Sequence, residues 1–204
     1  MPSRAHRSDG VANRERVVAA ARAALSDSPE VAMELKLHLI AKAAGVGQGT
    51  LYRHFPTREH LLAEVYRHEM GELVDAVPAL LAEHSPLDAL TLWLDRLVEY
   101  ARVKRGVMAA IEASAWQDLY TDHHGRLDEA LTTLLDRGTA AGEMRDDIDA
   151  TDVILLLGAL SRVPEKEWDT RARKLVAVIL DGLRRREPHM SSTMPAKSSG
   201  HANQ

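Results

Sequence analysis

The stretch from Leu37 to Pro56 leaves the chain little freedom: it reads as two short helices, Leu37–Ala44 and Gln48–Phe55, joined by a turn that holds Gly45 and Gly47. Gly45 tolerates the positive φ that closes a helix, Pro56 cannot continue one, and Thr57 stands where a side chain caps the next. Two short helices at this spacing form a helix-turn-helix. Ile40, Ala41, Ala44, Val46, Leu51 and Phe55 fall where the pair packs together and against a preceding helix, Asn13 to about Ser26. That helix carries Val17, Val18, Ala21, Ala24 and Leu25 on one face. The other face of the second short helix carries Gln48, Thr50, Tyr52, Arg53 and His54. Each of these can hydrogen-bond, and none is acidic, as a surface meeting phosphates and base edges requires.

The rest of the chain points to an all-α fold. Aromatic residues are 4% of the sequence, so the core must be built from Leu, Val, Ile and Ala. A long fourth helix is expected from Thr57 to Val77, about 30 Å at 1.5 Å per residue, with a kink or break at Pro78. Ser85-Pro86 reads as N-cap and first residue of a fifth helix, with Gly106 marking a bend. Further helices are expected over 118–141, 151–162 and 170–186, the second capped by Asp149. The boundaries that follow are a disordered arm over 1–12, a helix-turn-helix domain over 13–58, a helical body over 59–187 and a disordered tail over 188–204.

Charge and composition narrow the function. Residues 1–60 hold nine Lys and Arg against six Asp and Glu, a positive end on a chain of net charge −4. The absence of cysteine excludes disulfides, thiolate metal sites and cysteine nucleophiles, and suits a cytoplasmic protein. No apolar run approaches the roughly 20 residues of a membrane span, so no membrane role is expected. No phosphate-cradling glycine loop, Ser/His/Asp order or carboxylate pair stands out, so an enzyme and a cofactor are not expected. Asp122-His123-His124 with Asp128 invites a metal reading. Adjacent histidines on a helix point about 100° apart, however, and a solvated polar turn with no metal is the expectation.

The run from Val153 to Leu160 is apolar almost all round, so it needs cover on two faces. One face meets the chain's own core, and the other is expected to meet a second copy together with the last helix. Ile154, Leu157, Leu160, Leu175, Ile179 and Leu183 are the candidate homodimer residues.

The segment from Leu39 to Leu62 closely resembles the TetR family of regulators. The likeness lies in Ile40-Ala41, Ala44-Gly45-Val46, Gly49-Thr50-Leu51-Tyr52, His54-Phe55, Glu59 and Leu61-Leu62. The resemblance implies a homodimeric, ligand-responsive repressor with a three-helix head, a six-helix body and a dimer interface made from the last two helices. It also implies DNA contacts for Thr50, Tyr52 and His54, a phosphate contact for Arg58 where the family has Lys, and a base or phosphate contact for His38. Gln48 and Arg53 occupy variable positions and are assigned base reading. Gly47 and Gly49 complete the expected DNA-binding set. Gly47 replaces the family's usual capping Ser, and Lys36 stands where a capping Ser or Thr is usual, so the phosphate pattern differs at both. The family's ligand cavity implies a pocket near Tyr66, Met70, Trp93, Leu97, Tyr100, Met108 and Trp116 for a small amphipathic molecule. The competing classes are an architectural DNA-binding protein that senses nothing, and a helical adaptor or enzyme whose head only packs.

Overall fold

The computed structural model of the chain describes residues 4–27, 31–111 and 113–185. Its helices are α1 (Arg4–Asp27), α2 (Val31–Glu34), α3 (Leu37–Ala43), α4 (Gln48–His54), α5 (Arg58–Asp75), α6 (Val77–Glu83), α7 (Pro86–Ala110), α8 (Ala113–Ala140), α9 (Ala150–Leu157) and α10 (Trp168–Leu183). Two 3₁₀ segments, Gly158–Arg162 and Glu165–Glu167, lead from α9 into α10. Among the described residues the β-structure is one isolated bridge, between Met144 and Arg184.

The caps follow the side-chain chemistry. Thr57, Ser85 and Asp149 each accept a hydrogen bond from the backbone N–H three residues on. At Asp149 the Asp152 carboxylate returns the bond, closing a capping box. The break between α5 and α6 falls at Ala76, with Pro78 in the first turn of α6, where its missing donor interrupts the ladder of α5.

Four expectations are corrected. Helix α1 begins at Arg4, not Asn13, so residues 4–12 are helical rather than a disordered arm. Once nucleated, a helix extends through residues that carry no breaker, and Gly10 alone costs only about 1 kcal/mol. Gly106 makes no bend: α7 runs unbroken through it, and burial of Val103 and Val107 on the same stretch outweighs the glycine penalty. The 151–162 helix stops at Leu157 and tightens into 3₁₀ geometry from Gly158. The last helix ends at Leu183, because Arg184 and Arg185 pair with the loop before α9: Arg145 N–H donates to Leu183 O, and Arg185 N–H to Glu143 O. The expected tail over 188–204 lies outside the described residues.

One apolar core runs from Val17 and Leu25 through Leu61, Trp93 and Leu131 to Val176. Helix α1 packs on both α5 and α7, so head and body share this core and the chain simply turns between them at Pro56-Thr57. Ion pairs reinforce the seat of α1 on α5. Arg22 holds Glu69 and lies 2.6 Å from Glu72, while Arg14 and Arg67 both hold Glu64. Partial burial pushes the Glu64 and Glu72 carboxyls up, but the facing guanidinium groups outweigh it and both sit below the ordinary value.

Candidate nucleic-acid interface

The turn between α3 and α4 is built from backbone bonds alone. Val46 N–H donates to Ala41 O at 3.0 Å and Gly45 N–H to Lys42 O at 3.2 Å, the paired closure of a Schellman motif. Gly45 lies at φ +64°, which a side chain would strain. Helix α4 then starts at Gly47, whose carbonyl accepts from Thr50 and Leu51 N–H at 2.9 and 3.1 Å. Gly47 itself is ordinary extended backbone, φ −68° and ψ 144°, so its lack of a side chain answers to no conformational demand.

Helix α4 is anchored by Leu51, buried with Phe55 just beyond the helix end. The rest of the helix turns outward. Gln48, Gly49, Tyr52 and Arg53 are exposed, and Thr50 and His54 are half-buried. Tyr52 is 48% exposed, which for a ring of that size leaves a broad face toward solvent. Arg53 is folded back, its Nε donating to Gly49 O at 3.1 Å, so reaching a base means trading that bond. His38 is exposed on α3, flanked by exposed Lys36, Leu39 and Lys42. The structure therefore brings His38, Gln48, Gly49, Thr50, Tyr52, Arg53 and His54 to the two adjoining helices of the motif.

Arg58 is placed differently from its neighbours. It opens α5, is half-buried, and lies 3.1 Å from Glu59 and 3.5 Å from Ala110 O at the end of α7. Glu59 is held below the usual carboxylate range, first by the Thr57 hydroxyl and then by its own backbone N–H and Arg58. Sequence reasoning missed two features here: the exposed Lys42 and Leu39 on α3, and the approach of the N-terminal turns of α1, around Gly10, to His54. A side chain at Gly10 would come within 4.0 Å of His54. The helical pattern over 13–26 gave no sign of that contact, because it needs the extra turns of α1.

In the body, Tyr66, Met70, Trp93, Leu97 and Tyr100 are all buried. The Tyr66 and Tyr100 hydroxyls are 3.0 Å apart, and Trp93 Nε1 donates to Leu73 O at 2.9 Å. Met108 is 42% exposed, because it points off the face that buries Val103 and Val107. The Trp116 side chain, and those of Asp122, His123 and His124, fall outside the described residues. Among the described residues no cluster of three His, Asp or Glu groups could hold a metal. No described helix is long and apolar enough to cross a membrane.

Four of the six dimer candidates turn toward the chain's own core. Leu157, Leu160, Ile179 and Leu183 are buried in this chain's own core, and Ile154 and Leu175 are half-buried against it. The apolar side chains left outside are Leu155, Leu156 and Val178, at 72%, 55% and 69% exposure. A period of 3.6 on a helix apolar all round does not say which stripe turns inward.

Comparison with known proteins agrees with this geometry. The family model of bacterial regulatory proteins of the tetR family matches residues 32–65, and that of the SbtR-like transcriptional regulator C-terminal domain matches residues 85–185. The chain is similar to the crystal structure of a TetR transcriptional regulator from Streptomyces coelicolor: 40% identity, 85% of this chain and 99% of that one, TM-score 0.75. A TetR regulatory protein from Mycobacterium vanbaalenii is 30% identical over 88% of this chain and 99% of its own, TM-score 0.68. An HTH-type transcriptional regulator of Staphylococcus aureus is 27% identical over 108 residues, and that match spans 57% of its length.

Proposed function

Because the chain belongs to the TetR family, whose members are transcriptional regulators and not enzymes, we propose that it is a ligand-responsive repressor that grips a palindromic operator as a homodimer in the cytoplasm. Its DNA-binding head runs from the start of α1 at Arg4 to residue 58, and 59–187 is its sensing and dimerising body. The observation that carries the reading is α4: one buried anchor, Leu51, and an outer surface made of Gln48, Gly49, Thr50, Tyr52 and Arg53. Gln48 and Arg53 read base edges, while Thr50, Tyr52, His54 and the α5 start at Arg58 hold phosphates.

Dimer formation is supported by Leu155, Leu156 and Val178, an apolar surface shared by α9 and α10 that water would otherwise cover. Two heads related by a twofold axis then meet half-sites roughly 34–36 Å apart. A small amphipathic molecule in the body, bound more tightly in one spacing of the heads than the other, shifts the balance and releases the operator. The seat of α1 on α5 supports this mechanism, because the head must follow any tilt of α5.

The test is operator affinity measured across salt concentration. Gln48→Ala is expected to relax base preference at one position of each half-site. Arg58→Ala is expected to lower the salt slope by about one for each phosphate that the guanidinium had neutralised, while leaving base preference intact. A slope unchanged by Arg58→Ala would assign that side chain to contacts within the chain, such as those to Glu59 and Ala110, and not to phosphate.

A further inference from the structure

Two buried donors in the body meet no acceptor. Trp168 opens α10 at 1% exposure, and its Nε1 has no hydrogen-bond partner. Arg105 Nη1, reaching across from α7, is buried and equally without one. The two belong to one corner: the Arg105 guanidinium carbon is 4.8 Å from the centroid of the Trp168 ring. The nearby carboxylate, Glu165, stands 3.7 Å from Arg105 Nη1, too far to accept a hydrogen bond, and its other oxygen is held by Arg102 at 2.9 Å. Trp93 shows what this fold does with a tryptophan that only packs, since its N–H is bonded to Leu73 O. A buried donor without an acceptor costs about 1–3 kcal/mol, and native proteins rarely keep two side by side without an occupant for them.

The surroundings say what that occupant is. The carboxylates nearest the corner, Glu165 and Asp169, are both paired with Arg102, so a cation entering here would have to displace a guanidinium group to reach a counter-charge. A neutral apolar molecule would leave both donors as they are. A carboxylate offers two oxygens to two N–H groups and a negative charge to the Arg105 guanidinium, whose own carboxylate neighbour lies beyond hydrogen-bond reach. The 3₁₀ segments that flank the corner, Gly158–Arg162 and Glu165–Glu167, are less firmly bonded than α-helix and form its most yielding wall.

We infer that the body takes a carboxylate-bearing small molecule, with its carboxylate received by Trp168 Nε1 and Arg105 Nη1 where α7 meets α10. The inference rests on reading the body as a sensor, and it names the chemical class sensed.

The experiment is calorimetric titration of the full chain with octanoate, octanol and choline, alongside operator affinity in the presence of each. Octanoate is expected to bind, with octanol and choline at least about tenfold weaker. Trp168→Phe removes the N–H and keeps a ring in place, and Arg105→Gln removes the charge from a half-buried position. Each is expected to weaken octanoate about tenfold or more while retaining helical circular dichroism. Octanoate bound equally well by both variants, no octanoate binding to the wild type, or choline or octanol bound as tightly overturns the inference. If choline or octanol alone releases operator, the sensor reading survives and the carboxylate site does not. If octanoate needs Trp168 yet leaves operator affinity unchanged, the site stands and the sensor reading falls.

Discussion

Gly47→Ser restores a side chain at the start of α4 where the backbone already accommodates one. Its φ and ψ are extended, and a Cβ built there meets nothing within 4 Å. Two terms act on stability. A serine N-cap exceeds glycine by a few tenths of a kcal/mol, through a hydroxyl that accepts from the N–H of Gly49 or Thr50. Replacing glycine at a compatible position contributes about 0.4–1 kcal/mol more by restricting the unfolded chain. The sum, roughly 0.5–1.5 kcal/mol, corresponds to a rise in Tm of about 1–6 °C for a chain of this size. On DNA, the same hydroxyl stands at the helix start that faces the backbone, where one neutral hydrogen bond contributes about 0.5–1.5 kcal/mol. With one such bond in each half-site, affinity is expected to rise between about fivefold and 150-fold. The salt slope should not change, because no charge is added. Fluorescence anisotropy on a labelled operator, from low to physiological salt, reads affinity and slope together, with calorimetry for Tm. A higher Tm with unchanged or weaker operator binding would refute the placement of the α4 start against phosphate.

Three further outcomes follow from the packing. Leu155→Glu or Val178→Glu is expected to give a folded monomer by sedimentation, whereas Leu157→Glu, whose side chain is buried, is expected to lose helical circular dichroism. Tyr66→Phe and Tyr100→Phe should each cost about 1 kcal/mol in denaturant unfolding, and the double variant about 0.5–1.5 kcal/mol less than their sum, because either one alone breaks the shared hydroxyl bond. Glu64 and Glu72 titrate below the ordinary carboxyl value of 4.5 in the folded chain, so they bind fewer protons there than when unfolded. Their contribution is therefore complete well above pH 4.5 and is lost as pH falls below it. Arg22→Met should remove the Glu72 part of that acid limb in pH-dependent melting and leave the Glu64 part, which Arg14 and Arg67 hold.

The helix-turn-helix was legible in the sequence because local chemistry decides it. Gly45 needs its positive φ, Pro56 ends α4, and Thr57 caps α5, and each acts within a few residues. Ser85 and Asp149 were legible for the same reason. Tertiary burial decided what was not. Gly106 reads locally as a break, but α7 buries its flanks and runs on. On α9 the run from Val153 to Leu157 is apolar on every side, so periodicity could not tell the inward Leu157 from the outward Leu155; α10 has a clear polar face in Arg171, Arg173, Lys174 and Asp181, and Val178 stands apart from its buried stripe. The Arg105–Trp168 corner joins residues far apart in the chain, and no spacing announces it.

The central claim is that α4 reads a specific sequence in two symmetric copies, and selection of bound DNA from a random pool at near-physiological salt tests it most directly. An enriched palindrome with half-site centres about 10 base pairs apart or a multiple of that, shifted at defined positions by Gln48→Ala and Arg53→Ala, is the predicted result. A folded dimeric chain that enriches no sequence would contradict it.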